Sequence, residues 1–150
     1  MRGLTVRQPW AWAIIHGGKD VENRTRSLGQ YRGPVAIHAG RQWAGDEALA
    51  EVERMIGFDS TPGGFILGNV IGVVNLVDAH PDVDQPEGCR TSWLPWRAED
   101  ICSEWAQPGQ HHLMFSNPRP LAHPIPWRGR LGLWTVPADL EAAIREQVAP

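Results

Sequence analysis

Between Phe65 and Ala79 the chain sets Ile66, Gly68, Val70, Gly72, Val74 and Leu76 at every second position. A period of two is that of a β-strand, and glycines alternating with branched residues on one face let a long strand bend sharply instead of lying flat. This run therefore predicts a strand wrapped around a small barrel. The rest of the chain is punctuated in the same spirit, with 13 prolines and 16 glycines that predict many turns and few long helices.

Other elements follow from their boundaries. Leu4 to Val6 reads as a short strand, and Gln8-Pro9 opens a helix through His16 that Gly17-Gly18 stops. That helix is apolar nearly all round, so it is buried on most sides or faces a ligand cleft. Asp20 to Arg24 predicts a strand with Asp20, Glu22 and Arg24 on one face, and Val35 to Ala39 a second strand after the Gly33-Pro34 turn. Asp46 to Ile56 is a helix with an acidic outer face, residues 98–106 a shorter candidate helix, and Asp139 to Val148 a closing amphipathic helix. Strands fall near His111 to Phe115 and Leu131 to Val136, and Asn117-Pro118 is expected to start a turn. The expected fold class is α+β: a small, mostly antiparallel β-barrel of five or six strands with flanking helices, forming one domain over residues 1–150.

No apolar run is long enough to span a membrane, and Trp10 to Ile15 is too short for a signal segment, so the expected location is the cytoplasm. Cys89 and Cys102 have neither a CxxC spacing nor a histidine pair nearby, and neighbouring His111 and His112 point to opposite strand faces. Two ordinary thiols, no metal and no cofactor are expected. Charge is uneven: residues 1–41 carry seven basic and two acidic groups, whereas residues 42–150 carry seven basic and fifteen acidic. The opening segment therefore presents either a local positive face or a solvated surface balanced by the acidic remainder.

The only lysine stands among thirteen arginines, in Gly17-Gly18-Lys19-Asp20-Val21-Glu22-Asn23-Arg24. Lysine is a compact charge whose pKa responds to burial, whereas arginine stays protonated, so this position is the leading candidate for chemistry.

Leu4 to Ala11, then Gly18-Lys19 with Val21 to Arg24, then Tyr31 to Pro34 leading to Ile37-His38-Ala39, resemble in order and spacing the opening of ASCH domains. Gly68 to Gly72, Asn117-Pro118 and Gly129 to Trp134 resemble later motifs of the same family. The resemblance implies a PUA-like barrel with a cleft between barrel and first helix, and a role in binding RNA or DNA, single-stranded or carrying a modified base, or a free nucleoside. One branch hydrolyses N4-acetylcytidine with lysine, threonine and glutamate; Lys19 matches its lysine, but Glu22 stands where that branch has threonine.

An aromatic plane beside cations and a carboxylate suits a nucleobase, which stacks on the ring, meets lysine or arginine at a carbonyl or phosphate, and donates an exocyclic amine to glutamate. The expected ligand-binding residues are Trp10, Lys19, Glu22 and Arg24, with Arg7, Arg32 and His38 beside them. If the protein is an enzyme, Lys19 and Glu22 are its catalytic pair in metal-independent hydrolysis of a modified nucleoside or of RNA. A third possibility is a protein-interaction module that docks through Trp93 and Trp96.

Overall fold

The computed structural model describes residues 1–57, 61–82, 89 and 102–148. Nine elements follow one another: β1 (Arg2–Gln8), α1 (Trp10–His16), β2 (Val21–Arg24), β3 (Gly33–Trp43), α2 (Asp46–Ile56), β4 (Asn69–Pro81), β5 (His111–Pro126), β6 (Leu133–Thr135) and α3 (Ala138–Gln147). The strands make one sheet in the order β2-β5-β4-β3-β1-β6, antiparallel throughout except for the β1–β3 pair. The fold class is the expected α+β. The sheet does not close, however: β2 and β6 are its two edges, so the architecture is an open, curled sheet and not a sealed barrel. A side chain crosses the gap instead, with Arg24 of β2 donating from Nη2 to the Thr5 carbonyl of β1 at 2.8 Å.

Curvature comes from irregularities that strict alternation does not reveal. Pairing between β4 and β5 shifts register at three places: the largest sets residues 121–124 of β5 opposite Ile71 alone, and another sets Asn117, at a φ of 50°, and Pro118 opposite Val74. The Asn-Pro pair therefore makes a bulge within a long strand, not the expected turn between elements. The alternating run is also shorter than expected. Ile66 and Leu67 are exposed, Gly68 takes a positive φ of 71°, and the strand begins at Asn69.

Both faces of the central strands are covered. On the concave side α1 packs Ile14 and Ile15 against Leu4, Ile37, Val74, Leu113 and Phe115. On the convex side α3 packs Leu140 and Ile144 against Ala36, Val73, Leu121 and Trp134. Residues 70–74 are consequently buried without a break, as in a strand covered on both sides. Gly72 leaves room for α1 against the sheet: a β-carbon there would lie 2.6 Å from Ile15 Cδ1 and 2.8 Å from the Arg119 carbonyl oxygen. The expected helix over 98–106 is not seen in its described part, since residues 104–105 form a turn; the remainder lies outside the described residues. Among the described residues no helix is long and apolar enough to cross a membrane.

Candidate functional site

Helix α1 begins directly after Pro9, and the buried Gln8 side chain organises that start. Its Oε1 accepts from the Trp12 amide at 2.8 Å while its Nε2 donates to the Ile66 carbonyl at 3.0 Å. Trp10 is thereby presented at the mouth of the concave face. At the other end Gly18, with a φ of 71°, reverses the chain, and the Lys19 amide returns to the Ala13 carbonyl at 3.0 Å. That turn directs Lys19 inward, where only 3% of it is exposed.

The Lys19 ammonium donates to the Val21 carbonyl, lies 3.6 Å from Glu22 and sits between two indole rings, 5.5 Å from the Trp10 centroid and 5.8 Å from that of Trp105. Glu22 in turn meets Arg24 at 3.1 Å. Burial pulls the Lys19 pKa below the ordinary lysine value, and neighbouring Glu22 opposes this without cancelling it. Around this group opens a small cleft of about 120 Å³, lined by Trp10, Lys19, Glu22, Asn23, Glu51, Glu104, Trp105, Ala106 and Gln107. The lining thus holds one buried cation and three carboxylates, of which Glu22 pairs with Lys19 and Arg24 and Glu51 pairs with Arg54 at 2.7 Å.

The far wall is the segment from Ser103 to Gln107. Asn23 fixes it at two points, donating to the Trp105 carbonyl at 2.9 Å and accepting from the Gln107 amide at 2.9 Å. Ser103 adds a third, donating from its hydroxyl to the Asp20 carboxylate while accepting from the Trp105 amide at 3.0 Å.

No family model matches the sequence. Among solved structures the chain resembles the crystal structure of ASCH from Zymomonas mobilis, at 18% identity and a TM-score of 0.53, over 94% of this chain and 90% of that one. The fold is ASCH-like. The ASCH-like frame brings Trp10, Lys19 and Glu22 into a single cleft and gives the other expected site residues different surroundings. Arg24 is spent on Glu22 and on the Thr5 carbonyl. Arg32 holds Asp78 at 3.3 Å and the Ala79 carbonyl at 3.2 Å through Nη2. Arg7 is exposed on β1. His38 is 2% exposed and lies away from the cleft lining, with Nε2 on the Trp127 carbonyl at 2.9 Å. Burial holds its ring below the usual histidine range. Trp93 and Trp96 lie outside the described residues.

Sequence reasoning missed two groups in this ASCH-like chain. Trp105 and its neighbours reach the cleft from residues 102–110, a run of turns and bends, and no local pattern ties them to Lys19. The second group corrects the view of the cysteines as thiols with no histidine in place. His80 of β4 and His112 of β5 are directly opposed across the sheet, with ring centroids 5.4 Å apart, and both Cys89 and Cys102 reach His112 Nδ1, at 3.2 and 3.3 Å. His111 and His112 do face opposite ways; the partner of His112 is a histidine on the next strand, invisible until register is known. Burial and the adjacent Cys89 push the Cys102 thiol up to about 12, which removes it as a nucleophile at neutral pH.

Proposed function

We propose that the cleft receives a nucleobase, carried by a free nucleoside or turned out of a single-stranded RNA or DNA. The observation that carries this is the pair of indole rings, Trp10 and Trp105, flanking the Lys19–Glu22 pair at the bottom of an open cleft. Rings supply stacking at ~1–3 kcal/mol per base, the lysine supplies a donor for a base carbonyl, and the carboxylates accept from an exocyclic amine. The carboxylates in the lining suit the exocyclic amine of a base.

A second reading has one specific observation behind it. A buried lysine of lowered pKa lying 3.6 Å from a carboxylate is a pair that can serve general acid–base hydrolysis of an N-acylated nucleobase. Lys19 in its neutral form would then take a proton from the water whose oxygen attacks the acyl carbon, and that proton, relayed by Glu22, would pass to the exocyclic nitrogen as the C–N bond breaks, releasing a carboxylic acid and the free base amine.

Substitution of Lys19 separates the two. For recognition alone, Lys19→Arg keeps much of the affinity and Lys19→Ala loses on the order of 1–3 kcal/mol. For hydrolysis, both variants lose turnover of a modified-nucleoside panel alike, because guanidinium does not exchange protons at neutral pH. Binding and turnover unchanged in Lys19→Ala, with the variant folded by circular dichroism, would remove both readings.

A further inference from the structure

We propose that His80, Cys89, Cys102 and His112 form a structural zinc site that fastens the Trp105 wall of the cleft to the sheet. Their four ligand atoms lie within 4.8 Å of one another, and three of the residues are buried while Cys102 is half-buried. Tetrahedral zinc, with bonds of about 2.3 Å to sulfur and 2.0–2.1 Å to nitrogen, separates its ligand atoms by about 3.3–3.8 Å. The two thiol contacts to His112, at 3.2 and 3.3 Å, already stand near that spacing.

Both imidazoles are oriented with a lone pair toward the centre. His112 places Nε2 on the Gln107 carbonyl at 2.7 Å, which puts the ring proton there and leaves Nδ1 to face the sulfurs. His80 places Nδ1 on the Asp78 carboxylate at 2.9 Å, and its Nε2 is buried without a hydrogen-bond partner among the described residues. A buried ring nitrogen left in that state is unfavourable unless something accepts its lone pair. Arg32 holds Asp78 in turn, so the sequence Arg32, Asp78, His80 is the outer support that orients and strengthens a metal-binding histidine.

The donor set selects the ion. Two sulfurs and two imidazole nitrogens suit zinc and exclude calcium or magnesium, which take oxygen ligands. Four protein ligands fill the tetrahedron, as in structural sites, and leave no position for a reacting water. Binding releases the two thiol protons to solvent as the sulfurs become thiolates. Cys102 and His112 stand at the two ends of the segment that carries Ser103, Trp105 and Gln107, so an ion held by both ties that segment down at each end.

The test uses the full wild-type chain, reduced and stripped of metal, titrated with zinc against a chromophoric chelator and with cobalt as a spectroscopic substitute. The expected results are one zinc per chain with a Kd of about 10 nM or tighter, and a cobalt spectrum with strong tetrahedral d–d bands and thiolate charge transfer. Amides of residues 103–111 exchange more slowly once zinc is bound. Cys89→Ser and Cys102→Ser abolish the thiolate band in proportion, and Asp78→Asn weakens zinc about 10–100-fold with stoichiometry kept. No uptake at micromolar free zinc, a cobalt spectrum without thiolate charge transfer, or zinc affinity unchanged in the double cysteine variant overturns the site. Exchange of residues 103–111 indifferent to zinc overturns its role in holding the wall.

Discussion

The Lys19 cleft and the histidine–cysteine cluster both draw residues from the segment 102–112, and they treat buried polarity in opposite ways. On the cleft floor each charge has its counterpart: Lys19 has the Val21 carbonyl and Glu22, and Glu22 has Arg24. Only the open side, between two tryptophans and two further carboxylates, remains for a ligand. In the cluster the outward nitrogens are tied to Asp78 and Gln107 while the inward atoms face one another. The first arrangement fits a molecule that comes and goes, the second an ion that stays.

The largest effect that sharpens this contrast is on the cluster side. With free zinc 1,000-fold above its Kd, bound ion adds about 4 kcal/mol to the stability of the folded chain, so a chelator should lower the urea midpoint by the corresponding amount and restored zinc should recover it. Identical midpoints with and without chelator contradict a structural ion.

Glu22→Gln should come next, at about 3 kcal/mol, because it leaves buried Lys19 without its nearest compensating charge. Zinc affinity should not change in this variant, since Glu22 contributes nothing to the cluster. Equal losses of zinc affinity and stability would show that the two regions are one cooperative unit and not two sites.

The smallest effect is the pH dependence of the cleft. Folded Lys19 has a pKa below 10.5 because burial disfavours its charge. Between that lowered value and 10.5 the unfolded chain binds a proton that the folded chain has released, so this group makes stability rise with pH across the window. The slope is at most about 1.4 kcal/mol per pH unit, and Lys19→Met should flatten it. Parallel profiles for wild type and Lys19→Met, from denaturant midpoints across the alkaline range, would mean that Lys19 is solvated.

What was legible from sequence divides along the same line. Trp10, Lys19 and Glu22 lie within thirteen consecutive residues, and the Pro9 start, the Gly17-Gly18 stop and a short strand suffice to bring them together. Helix α2 occupies the Asp46 to Ile56 bounds expected from its acidic outer face and the spacing of Leu49, Val52 and Ile56, and Gly45 and Gly57 take positive φ at its ends. The curl of the sheet was legible in Gly72, but its opening between β2 and β6 was not, because closure depends on register and not on periodicity. The histidine–cysteine cluster was hidden for a related reason: His80 and His112 meet only through β4–β5 pairing, and that pairing is offset three times by irregularities no local pattern announces.

The central claim, a base held between Trp10 and Trp105, is tested most directly by calorimetric titration of wild type, Trp10→Leu and Trp105→Leu with modified and unmodified nucleosides and short single strands. At least one ligand should bind wild type, and each leucine variant should weaken it about tenfold, the loss of one stacking face at ~1.4 kcal/mol. Affinity for every ligand unchanged in both variants, with folding intact by circular dichroism, would contradict it.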